Sequence, residues 1–291
     1  MDATLQDFAR WRTISTLTVL AVLLAWESLL PFFAFFRGKL RERLRHGLIN
    51  VVLGTANSLM IGFVFAAIWW SAAKWAEAKG VGLLNWVALP TWARLVVTFL
   101  LFDIWLYWWH RVNHRVPFFW RFHRTHHSDP DMDVTTASRF HFGEIAISSL
   151  LRVPVIILIG AQLWEVVLYE LCMFAVVQLH HANVFLSDRT DRFLRGIIVT
   201  PYMHKVHHSR CQPETDSNYS SLFSFWDRLF GSFRLRDDPR TIEFGLDDLS
   251  SRDNQTFAAI MATPVKPLQR RQSAESGPPP SERVRDPQEL G

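Results

Sequence analysis

Cysteine is nearly absent: the 291 residues include two, Cys172 and Cys211, and no CxxC spacing. That excludes a disulfide framework and a thiolate zinc site. Excess charge of one sign is also small, +4 from 31 Lys and Arg against 27 Asp and Glu. The arginines flank apolar blocks instead of forming one basic stripe, which speaks against nucleic acid as a partner. No HExxH occurs, so a common signature of zinc hydrolases is missing. Near the C-terminus large apolar side chains become sparse. Residues 259–291 are dominated by Pro, Ser, Gln and charge, a composition that predicts a disordered tail.

What is present is apolar, aromatic and rich in histidine: 49% hydrophobic residues, 23 Phe, 13 Trp and 12 His. With 20% charged residues and a mean hydropathy of +0.07, the apolar content must sit in blocks. The first, Ile14 to Phe36, is broken only by Glu27 and Pro31 and is long enough to cross a ~30 Å hydrocarbon core. A signal peptide would be shorter and end in a small-residue cleavage site. The basic stretch RGKLRERLRH follows, then an uncharged block from Leu48 to Ala73. A third block, Leu95 to Trp109, carries a lone Asp103 and runs into WLYWWH. Two shorter blocks, Ile145 to Gly160 and Leu163 to Leu179, carry Arg152, Glu165 and Glu170, and either span or form a dipping hairpin. The expectation is an all-α, multi-pass transmembrane bundle of about four or five membrane helices over 1–181, with a cytosolic helical cap over 182–258. The basic links alternate, so they belong on the cytosolic side and the N-terminus lies outside. The histidine-rich segments all fall just beyond membrane blocks on the cytosolic face.

Those segments have metal-ligand spacing. His110 and His114 are an i, i+4 pair, one face of a helix. His123, His126 and His127 stand at i, i+3, i+4, and His204, His207 and His208 repeat that pattern, aiming three imidazoles at one point. Eight histidines exceed one tetrahedral site and suit two ions; imidazole binds Zn, Cu, Fe and Ni. None of the three boxes contains a carboxylate. All-imidazole sites keep the positive charge on the metals, which suits oxygen activation for attack on an unactivated C–H bond. A position beside the bilayer suggests an acyl or sterol-like substrate.

HRVNH, HRTHH and HKVHH resemble the HxxxH, HxxHH and HxxHH boxes of the fatty acid hydroxylase/sterol desaturase superfamily of integral-membrane di-iron enzymes. DIWLYWWHR, HANV and NYSSLFSFWDRLFGSF are similar to further stretches of that family, from about Asp103 to Phe233. The resemblance implies a centre of two iron ions that uses O2 and an electron donor to hydroxylate or desaturate a lipid. Zinc can replace iron in such a site. Carried over, the ligands are His110, His114, His123, His126, His127, His204, His207 and His208, with His181 as the extra family histidine and His180 beside it. His141 and Glu144 fall in RFHFGE, where Phe142 replaces the family's proline. His46 matches nothing and reads as a surface or headgroup histidine.

A ligating imidazole usually donates its other N–H to a carboxylate or carbonyl. Asp103, two turns before His110, can hold a histidine or pair with Arg111; Asp129, Asp216, Asn183 and Asn218 are further candidates. Trp105, Trp108, Trp109 and Trp120 read as an interfacial aromatic belt. Arg121 and Arg124 are expected to face lipid phosphate or solvent. No fused cytochrome or flavin segment is recognised, so a separate electron-transfer protein is expected, along with a lipid drawn from the bilayer. Two other classes fit the residues less well: a non-catalytic histidine-rich membrane protein that stores or carries metal, and a membrane zinc hydrolase.

Overall fold

The computed structural model describes residues 3–268. The first apolar block is helical from Ala3 to Leu29 (α1). It stops short of Phe36 because Pro31 lacks a donor and restricts Leu30 before it. The basic stretch turns at residues 37–39 and is helical from Leu40: α2 runs Leu40–Met60 and continues through a π turn at Ile61–Phe65 into α3, Ala66–Lys79. Gly80, at φ +60°, closes α3 as a left-handed cap. A single turn, α4 (Leu83–Trp86), leads to α5 (Thr91–Arg115) and α6 (Pro117–His127), which starts on its proline. After a 3-10 turn at Val134–Ser138 come α7 (Phe142–Ile159), α8 (Leu163–His181), α9 (Asp188–Leu194) and α10 (Pro201–His207).

Among the described residues there is no strand, only three isolated bridges. The chain is an all-α integral membrane protein. Leu40–Trp86, α5, α7 and α8 are each long and apolar enough to cross a bilayer, and α1 contributes a shorter apolar stretch, Thr13–Leu29. α7 packs along α3, and α8 along α5. Arg94, at the start of α5, donates to the Gly160 carbonyl between them (2.5 Å) and pairs with Glu165 (2.7 Å). Gly82 abuts Gly160 so closely that a Cβ would lie 2.5 Å from its backbone. The α7–α8 turn therefore reaches the same end of the bundle as the α3–α5 turn.

The apolar core of the bundle is built on Trp69, Phe102, Ile156, Val166 and Tyr169. An isolated charge there would cost about 2.5–3.5 kcal/mol, and the charges present are partnered. Arg152 pairs with Glu170 and lies over the Trp69 and Trp105 rings. Glu27, the one charge in the first block, accepts from Arg43 (3.1 Å) and from the backbone N–H groups of Val134 and Asn183 (both 3.0 Å). It thereby ties α1 to three segments at the opposite end of the bundle, where all the histidine boxes lie.

That end corrects several expectations. His46 is a half-buried histidine tied to acidic side chains, not a headgroup one: its Nε2 contacts both Asp129 oxygens at 2.9 Å and its Nδ1 lies 3.5 Å from Asp133. Burial alone would push the Asp129 carboxyl up, but His46 and Arg139 hold it well below the usual carboxylate range. Arg124 does not face lipid or solvent. It is buried, pairs with Asp248 (3.2 Å) and donates to the carbonyls of Thr263, Lys266 and Pro267; Arg121 donates to the Pro264 carbonyl. Those contacts order the start of the supposed tail, where Phe257–Met261 and Thr263–Val265 are helical. The remainder of that tail, 269–291, lies outside the described residues.

Candidate metal centre

Each box sits at a helix C-terminus. HRVNH lies at the end of α5, HRTHH ends α6, and HKVHH ends α10 with His208 as its C-cap. Thr200 caps α10 and Pro201 occupies its first turn, so a seven-residue helix starts at a defined point.

The triplets do not each aim at one point. The nitrogens form two groups, each within 4.8 Å of one another: His110, His114, His123, His127 and His207; and His126, His181, His204 and His208. The helical repeat gives the reason. Residues four apart differ by about 40° around the axis and neighbours by about 100°. Each i, i+4 pair (110/114, 123/127 and 204/208) therefore enters one group, while the i+3 residues His126 and His207 turn to the other. The groups touch where His127 and His208 stack at 4.4 Å between ring centroids.

Hydrogen bonds behind the first group orient its rings. His110 Nδ1–H donates to the Tyr219 carbonyl (2.8 Å), His123 Nδ1–H to Glu144 (2.7 Å) and His207 Nδ1–H to the Ser217 carbonyl (2.6 Å). His114 Nδ1 lies 3.4 Å from Asp216. These acceptors select the tautomer that leaves Nε2 with its lone pair free for a metal. The Nε2 atoms of His110 and His123 are buried and have no partner among the described residues.

In the second group His181 Nδ1–H donates to the Val177 carbonyl (2.7 Å). Its Nε2 lies 3.1 Å from both His126 Nε2 and His204 Nε2, and His204 Nε2 lies 3.1 Å from His208 Nε2. Four nitrogens placed about 2.0–2.1 Å from one ion at tetrahedral corners are about 3.3 Å apart, so this convergence fits a cation. Burial, reinforced by the neighbouring imidazoles, pushes His126, His127, His204 and His208 well below their ordinary value. Neutral imidazole is the form that ligates. The donor set fits two metal ions.

His180 joins neither group; it stacks on His204 at 3.8 Å between centroids. His141 is a helix cap, its Nδ1 accepting from Gly143 N–H and its Nε2 lying 3.2 Å from the Met261 carbonyl. Asp103 meets neither a histidine nor Arg111. It accepts from Tyr169, Trp226 and the backbone N–H groups of Leu222 and Phe223. Asn183 pins Phe33 through its N–H and its carbonyl. Asn218, in the left-handed region at φ +51°, bridges the Met203 and Arg234 carbonyls. Asp129 serves His46 and Thr136, not a box histidine.

Trp120 is no belt residue. It is buried, with its ring 5.1 Å from His114 and 5.5 Å from His127. Lys205, next to His204, carries no local signal of a role in the sequence. Its ammonium is buried, donates to the Ala182 carbonyl (2.9 Å) and lies 5.6 Å from the Phe32 ring centre, and burial pushes it down to about 7.

Residues 95–232 match the fatty acid hydroxylase family, a span that includes all nine grouped histidines. The chain is 34% identical to alkylglycerol monooxygenase of Xenopus tropicalis over 150 residues, 52% of this chain and 32% of that protein. It is 26% identical to ornithine lipid hydroxylase OlsE of Rhizobium tropici over 266 residues, 87% and 75% of the two chains. A cholesterol 25-hydroxylase-like protein of Danio rerio is 28% identical over 170 residues, 57% of this chain and 63% of that one. The chain thus spans about a third of the alkylglycerol monooxygenase it matches. No solved structure matches.

Proposed function

We propose that the chain is a member of the fatty acid hydroxylase family, whose model matches residues 95–232, and that it is a membrane-bound, O2-dependent oxidoreductase that hydroxylates a lipid through two iron ions. The observation that carries this reading is the pair of adjoining all-imidazole groups, five histidines and four. The relatives named above are hydroxylases or monooxygenases of lipids, which favours hydroxylation over desaturation. Two irons held there would supply O2 activation and attack on an unactivated C–H bond.

The chain's own residues do the holding. His110, His114, His123, His127 and His207 would hold one ion; His126, His181, His204 and His208 the other. Glu144 and the carbonyls of Tyr219 and Ser217 fix the tautomers that present Nε2. Burial of the rings excludes water from the ligand nitrogens and keeps them neutral. The substrate is a lipid taken from the bilayer, with a fatty acyl or sterol-like chain, and electrons come from a separate protein. The basic helical start of α2 supports placing this end of the bundle on the cytosolic side, with the N-terminus outside.

Metal identity tests the reading. Protein purified in detergent should hold about two irons per chain by elemental analysis, most of it lost in an H126A/H127A variant. Metal content unaffected by the substitution would refute the assignment. Two zincs, with hydrolytic turnover in the absence of O2, would replace the oxygenase by a hydrolase.

A further inference from the structure

The cap has an apolar face that neither the metal centre nor the bundle core uses. Phe193, at the end of α9, is 73% exposed, Ile197 56% and Leu229 66%. They lie on two segments knitted together by hydrogen bonds. Ser224 N–H donates to the Ile197 carbonyl (3.0 Å), Val199 N–H to the Leu222 carbonyl (3.1 Å), and the Arg228 guanidinium to the Arg195 carbonyl (2.9 Å).

α5 fixes how deep these segments sit. Leu222 and Phe223 N–H and the Trp226 indole donate to Asp103 at 3.2, 2.9 and 2.8 Å. The Phe230 ring stands 5.1 Å from Tyr107 and 5.0 Å from Trp108. Asp103 lies twelve residues before the end of α5 at Arg115, about 18 Å along the axis at 1.5 Å per residue. Ile198 and Phe223 pack against the bundle core itself. A cap segment therefore descends beside a membrane-crossing helix to the level of its middle. Irregular backbone survives at such depth only where protein groups satisfy it, and Asp103 supplies that acceptor. Arg189, Arg192 and Arg228 are exposed around the apolar face, the arrangement of an interfacial element whose cations reach up to phosphate.

We propose that residues 193–198 and 222–230 form a re-entrant wedge seated in the bilayer leaflet nearest the metal centre. Phe193, Ile197 and Leu229 enter the acyl-chain boundary, and Arg189, Arg192 and Arg228 engage lipid phosphate. A bilayer fits this face better than a water-soluble partner, because the face is continuous with the lipid-facing side of α5, where Trp108 is 44% exposed.

The test uses the full chain with Cys172 and Cys211 replaced by Ala, and single variants F193C, I197C, L229C and, as an aqueous reference, E243C; Glu243 has a 78% exposed side chain. Each is nitroxide-labelled and reconstituted in phosphatidylcholine vesicles containing phosphatidylglycerol. At 193, 197 and 229 the spin label should collide more with O2 than with a water-soluble nickel chelate, with the ratio inverted at 243. Collisions at the three sites matching those at 243 would overturn the wedge. Protection from both quenchers would also overturn it, by showing a protein partner or a second copy on this face. In the unaltered chain, a carbene photolabel dissolved in the bilayer should modify the peptide containing Phe193 and Ile197; failure to label it would count equally against the proposal.

Discussion

The two histidine groups are held differently. In the first, four of five rings have a carboxylate or carbonyl behind them: Tyr219, Glu144, Ser217 and, at 3.4 Å, Asp216. In the second, only His181 has a carbonyl acceptor behind it, while the Nδ1 atoms of His126 and His204 are buried with no hydrogen-bond partner among the described residues. The first group is preorganised by its surroundings. The second is arranged by ring-to-ring contacts, so a bound ion would do more of the ordering there. The two should differ in how tightly they hold metal and in how they fail.

The largest effect should separate the groups outright. H127A should lose the first ion and H126A the second, each leaving about half of the parent's metal on a per-chain basis by elemental analysis. Complete loss in both variants would mean that the groups act as one site. Next in size is E144Q, which removes the charge behind His123. Loss of such a partner typically weakens metal binding about 10–100-fold, and competition with a chelator should show the weakening at the first site alone. Equal weakening at both would break the distinction.

A smaller effect concerns acid. His126, His127, His204 and His208 are held well below their ordinary value. Below the ordinary imidazole pKa of about 6.5 the unfolded chain takes up protons that these folded rings refuse, so stability is lost as pH falls through that range. Metal-free protein in detergent should therefore unfold at a lower temperature at pH 5.5 than at pH 7.5, and bound metal should narrow the difference. A melting temperature independent of pH would show that these rings do not resist protonation. The smallest change should come from H180A. It removes a stacking partner of His204, worth about 0.5–1.5 kcal/mol, and both ions should remain by elemental analysis.

Much of this was legible because local spacing carries it. The i, i+4 pairs declare themselves at HRVNH and HRTHH, and the apolar blocks give the spans. Other features had no local signal. His46 meets Asp129 across 83 positions of sequence, so it read as a surface residue. Asp103 lies two turns from His110, within reach of a histidine or Arg111 by spacing, yet its carboxylate oxygens face the other way, to a segment about 120 residues downstream. Trp120 and Arg124 looked interfacial by composition and are buried by contacts with His114, Asp248 and the Thr263 carbonyl.

The sequence by itself determined that this is a helical membrane protein carrying three histidine boxes, because hydrophobic length and the 3.6-residue repeat are properties of the chain alone. It also marked nine histidines that the fold then gathers. Only the tertiary structure decided how they divide. Neighbouring residues on a helix point about 100° apart, so each triplet straddles two directions. Which direction meets which partner depends on how α5, α6, α8 and α10 cross, and no spacing within one helix encodes that.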